Sequence, residues 1–124
     1  QANGGEGCAI IHSDSSVGIQ RLNQEAAKAM AAGNRAGFDI TRSRAIKWIT
    51  LNPAKALGIA DKVGSLELEK MADIVIWDGD PFSVYSKTEK VFVDGVLLYD
   101  KNDKSTPRAT DFELGIINSQ ENRL

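Results

Sequence analysis

The sequence predicts an α/β chain in which one buried strand and three helices precede a small all-β segment. Three observations predict it. Residues 8–11 (CAII) form a short apolar run, as a strand buried on both faces would. Strong helix formers fill residues 20–32, and spaced apolar residues continue to Leu57. After Gly58 the hydrophobic period becomes strand-like and leads to two apolar runs separated by Asp94-Gly95.

Each element follows in order. Residues 1–7 are polar and glycine-rich, hence a loop. In residues 20–32, Leu22, Ala26, Ala29, Met30 and Gly33 fall near one helical face, and Gly33 is the expected stop. A second helix is expected over residues 39–50, with Thr41 as N-cap and Ala45, Ile46 and Ile49 as its apolar stripe. Asn52-Pro53 then suits the N-cap and first position of a short helix that Gly58 ends. Residues 73–77 (DIVIW), 90–93 (KVFV) and 96–99 (VLLY) read as strands, and Asp94-Gly95 as a type I′ hairpin turn. Residues 103–124 read as an extended tail.

The totals exclude several classes. With 124 residues, 42% hydrophobic and 26% charged, the chain is sized for one modest globular domain. A net charge of −2 supplies no field for nucleic acid or an anionic membrane, so neither is an expected partner. No apolar run approaches the roughly 20 residues that span a bilayer. The single cysteine, Cys8, reads as a small buried hydrophobe. One cysteine and one histidine cannot build a closed zinc site, which takes four ligands.

The stretch that carries chemistry is His12-Ser13-Asp14, at the carboxyl end of the apolar run. Strand alternation places His12 and Asp14 on the same side. Asp14 is either an acid presented at a strand tip or a cap of the next turn. His12 is either a partner of that acid or a hydrogen-bonded structural residue. Ser13 and Ser15 lack the elbow glycines of an activated nucleophile. A lone parallel-type strand has no neighbour to bond, and unpaired buried backbone is costly, so the chain is expected to be a piece of a longer polypeptide.

Four stretches together resemble the C-terminal part of a metal-dependent amidohydrolase, of the imidazolonepropionase-like and prolidase-like branch. IHSD (11–14) looks like the end of the eighth barrel strand, and TLNPAKALGI (50–59) like the helical segment after it. VGSLELEKMADIVIWDGDP (63–81) looks like the return into the small β-sandwich domain, and VFVDGVLLYD (91–100) like its last hairpin. The family has Pro-Gly where this chain has Leu68-Glu69.

The resemblance implies a fragment of a (β/α)₈ TIM barrel. Residues 1–58 would be its last strand and helices, 59–102 part of the small β-sandwich domain, and 103–124 a tail. It implies that Asp14 is the eighth-strand aspartate, a metal ligand that also moves a proton, with His12 behind it or on the substrate side. The implied cofactor is a divalent metal, zinc first, and the implied substrate a small amide or dipeptide-like molecule. A metal lowers the pKa of bound water to about 7, and a nearby carboxylate can take that proton and return it to a leaving amine. The family's other ligands are an HxH pair, a carboxylated lysine or acid, and two further histidines. With one histidine, this chain would depend on the remainder of the barrel as its partner and be inactive alone. The alternatives are a non-catalytic interaction module and a strand-exchanged homo-oligomer.

Overall fold

The computed structural model describes residues 8–105. The loop expected at 1–7 and the tail beyond residue 105 lie outside the described residues. Five helical segments precede a three-stranded sheet. A 3₁₀ turn, Gly18–Arg21, leads into α1, Leu22–Arg35. Next come α2, Arg42–Ile46, a 3₁₀ turn, Lys47–Ile49, and α3, Leu51–Ala56. The strands are β1, Ile74–Trp77, β2, Thr88–Val93, and β3, Val96–Asp100.

The strand expected at 8–11 is not formed. Strands exist by pairing, and among the described residues no segment runs beside this one. The segment is tied to the helices instead: the Ile11 N–H donates to the Trp48 carbonyl at 3.1 Å. Cys8, expected to be buried, is exposed.

Helix α1 runs past its expected stop. Gly33 lies inside the helix, where a Cβ would run into Ile40 Cδ1. The helix ends in a Schellman motif, with Phe38 N–H on the Gly33 carbonyl and Gly37 N–H on the Asn34 carbonyl, at 3.0 and 3.1 Å. Thr41 caps α2 as expected, its side chain accepting from the Arg44 N–H at 3.2 Å. That helix is shorter than expected because its last turn tightens to 3₁₀. Asn52 is not the cap of α3; it is the second helical residue, and its side chain is used elsewhere.

The helices meet around Trp48. Ala26 of α1, Ala45 of α2, Ala54 of α3 and Trp48 are the buried apolar residues among those described, and no large side chain is fully enclosed. Among the described residues no helix is long and apolar enough to cross a membrane.

The sheet has the order β1-β2-β3 and is antiparallel throughout. Asp94 and Gly95 have φ of 49° and 78°, as a type I′ turn requires. The turn docks on the chain before β1, with Gly95 N–H on the Ala72 carbonyl and Asp94 N–H on Asp73 Oδ1. Residues 59–102, expected to be part of a small β-sandwich domain, supply one three-stranded sheet among the described residues. Val75, Ile76, Val93, Val96, Leu97 and Leu98 consequently stay exposed.

Helices and sheet are joined by the loop between β1 and β2. Asn23 of α1 donates to the Pro81 carbonyl at 2.6 Å, and Arg42 of α2 pairs with Asp80 at 2.8 Å. Asp78 closes the base of this loop by accepting from the Lys87 N–H at 2.7 Å and pairing with Lys101 at 3.1 Å. The Lys87 hydrogen bond, helped by Lys101, holds the Asp78 carboxyl below the usual aspartate range. A lowered folded-state pKa contributes stability above the unfolded value of about 3.9 that is lost as pH falls through the folded value. Thermal melts from pH 6 to pH 2 should therefore show a smaller acid-side loss for Asp78→Asn than for wild type. Equal losses would show that Asp78 is not linked to folding.

The turn at Leu68-Glu69 keeps the backbone that glycine favours, with Glu69 at φ 69°. Lys70 holds it there, donating to the Ala60 carbonyl at 2.7 Å and to Ser65 Oγ at 2.5 Å. A side chain in the left-handed region costs on the order of 1 kcal/mol. Glu69→Gly should stabilise the protein by about 1 kcal/mol, a few degrees in Tm; an unchanged or lower Tm would show that Glu69 bears no strain.

Candidate functional site

The candidate site begins where the tethered segment 8–11 ends. Three contacts converge on that segment from residues 48–52. Asn52 Nδ2 donates to the Ala9 carbonyl at 2.7 Å, the Trp48 carbonyl accepts from Ile11, and Cys8 Sγ lies 3.8 Å from the Asn52 carbonyl. After Ile11 the chain presents His12 and Asp14 to the surface, with His12 Nδ1 3.6 Å from Asp14 Oδ1. That distance is too long for a hydrogen bond, so the two groups are neighbours without a fixed bond. Their side chains are 77% and 97% exposed.

The turn after Asp14 uses the serines. Ser13 Oγ accepts from the Ser15 N–H at 3.1 Å, and Ser15 Oγ accepts from the Gly18 N–H at 3.0 Å. Both hydroxyls thus serve the backbone that leads into α1, as in other serine turns. Asp14 takes no part in those bonds.

The described residues do not by themselves fit a metal ion. No three His, Cys, Asp or Glu side chains converge among them. Asp14 with His12 falls short of the three protein ligands of a catalytic zinc. What the pair offers is an exposed imidazole beside an exposed carboxylate.

Sequence reasoning placed His12 and Asp14 side by side, as the structure does. It missed Asn52, which reads locally as a helix cap and instead reaches Ala9. It also missed the Arg42–Asp80 and Asn23–Pro81 links. None of these has a local sequence signal, since their partners lie dozens of residues apart.

The model of the Amidohydrolase family matches residues 9–100. This chain belongs to the amidohydrolase family. Imidazolonepropionases from Shewanella baltica strains OS185 and OS223 are each 56% identical to it over 41 residues, 33% of this chain and 10% of theirs. The crystal structure of an amidohydrolase from Thermotoga maritima MSB8 superposes with a TM-score of 0.65 at 34% identity, covering 75% of this chain and 23% of that one. The chain therefore spans a small part of the length of the family members it matches. Residues 8–105 are a small α/β fragment with the fold of the corresponding part of an amidohydrolase.

Proposed function

We propose that this chain is the C-terminal part of a metal-dependent amidohydrolase that hydrolyses an amide or peptide-like C–N bond. Residues 1–58 would close the barrel, 59–102 would contribute to the small β-sandwich domain, and 103–124 would follow as a tail. The observation that carries this reading is an exposed Asp14 carboxylate at the end of a tethered apolar segment, inside the stretch that matches the family. A catalytic rim at the carboxyl ends of strands is where such barrels work.

In this reading Asp14 accepts a proton from the attacking water and delivers it to the leaving nitrogen. His12, beside it, stands behind the acid or toward the substrate. If a divalent metal, zinc first, is bound in the whole enzyme, Asp14 would be one of its ligands and the metal would supply an activated water, the described residues alone not holding it. The short imidazolonepropionase match favours an imidazolone-like cyclic amide over a dipeptide.

The test is native mass spectrometry and metal analysis of the gently purified polypeptide that carries this sequence. The expected result is a larger species, continuous or complexed, that holds zinc and hydrolyses an amide substrate. A bare 13.4 kDa chain or its homo-oligomer, without metal or activity, would overturn the reading.

A further inference from the structure

Segment 8–11 leads to the candidate acid yet belongs to no ladder among the described residues. Something else must set where it ends. Its backbone bonds run to one short stretch: Ala9 O to the Asn52 side chain and Ile11 N–H to the Trp48 carbonyl, at 2.7 and 3.1 Å. That stretch is anchored in the best-packed part of the molecule, because Trp48 is 7% and Ala54 4% exposed. Asn52 is also the side-chain member of the pair and so the one that mutation can remove.

We propose that Asn52 is a positioning residue, which sets the placement of Asp14 by holding the Ala9 carbonyl. The proposal rests on the hydrolase reading above. Asp14 lies five positions beyond Ala9 in the chain, with a second tether between them at Ile11. Without the Asn52 bond, the Ile11 bond is the one of these two tethers left to fix the segment that leads to the carboxylate. Misplacing a catalytic group by about 1 Å costs roughly 10²-fold in rate. The chemistry of the side chain is specific: the bond needs a donor, and an ionised aspartate has none. Asn52→Asp keeps the shape but sets a carboxylate against the Ala9 carbonyl. Asn52→Gln keeps the donor on a longer arm.

The experiment uses the complete polypeptide that carries this sequence, with Asp14→Asn, Asn52→Asp and Asn52→Gln compared with wild type. Two readouts are taken: steady-state kinetics, and hydrogen exchange of the peptide covering residues 8–14. The expected result for Asn52→Asp is a kcat about 10²-fold lower with KM within about twofold. Exchange at 8–14 should rise, and Asn52→Gln should fall between Asp and wild type in both readouts. If Asn52→Asp does not fold, Asn52→Gln decides by the same readouts. An unchanged kcat and an unchanged exchange pattern in a folded Asn52 variant, with Asp14→Asn inactive, would overturn the proposal while sparing the hydrolase reading. Full activity of Asp14→Asn would remove that reading and the proposal with it.

Discussion

Asp14→Asn is expected to lower kcat about 10³-fold while leaving KM within a few-fold, the size of effect that loss of a general acid–base group produces. Asparagine has the shape of aspartate but cannot exchange a proton near neutral pH. The titratable neighbour His12 is 3.6 Å away and, like the acid, mostly exposed. The same exposure predicts that the substitution leaves folding alone. Surface changes of this kind alter stability by less than about 0.5 kcal/mol. Kinetics and thermal melts on one preparation therefore separate the two effects: activity should collapse at an unchanged Tm. Activity above about a tenth of wild type would remove Asp14 from the reaction. Metal content of the variant adds a second reading. A fall would assign Asp14 a ligand role, and an unchanged value would leave it the proton carrier alone.

The features legible in the sequence were those set by local chemistry. Asp94-Gly95 announces its turn because positive φ at both positions suits few other dipeptides, and the structure shows φ of 49° and 78° there. Thr41 announces a cap because its hydroxyl needs to reach only three residues along the chain. That His12 and Asp14 lie close together was legible because one residue separates them. What the sequence concealed depends on distant partners. Gly33 looks like a helix stop until Ile40 is seen packed over it. Asn52 looks like a cap until its amide is found on Ala9, and segment 8–11 looks like a strand although nothing among the described residues pairs with it. The exposed apolar side chains of the sheet, such as Val75 and Leu98, have the same origin: their pattern specifies burial, and the described residues do not supply the cover.

Gly64→Ala should be the most damaging substitution for stability, at about 3 kcal/mol, because strain and overlap act together. Gly64 has φ +91°, a conformation that L side chains rarely adopt. A Cβ there would also meet Ala54 Cβ at 2.8 Å, Leu51 Cα at 3.0 Å and the Thr50 carbonyl oxygen at 3.1 Å. Two of those atoms are backbone, and Ala54 is among the few buried residues, so no flexible side chain can give way. The collision falls on the first turns of α3, the helix that holds Asn52 and through it the segment ending in Asp14. Gly58→Ala is the matched control. Gly58 also has positive φ, at +71°, but a Cβ there meets nothing within 4 Å. It should cost only the conformational strain, about 1 kcal/mol. Denaturant melts of the two variants separate the contributions: Gly64→Ala should lose about 2 kcal/mol more than Gly58→Ala, which is mainly overlap. Equal losses would show that the loop at Gly64 yields to a methyl group and that the contact with α3 is not a fixed part of the fold.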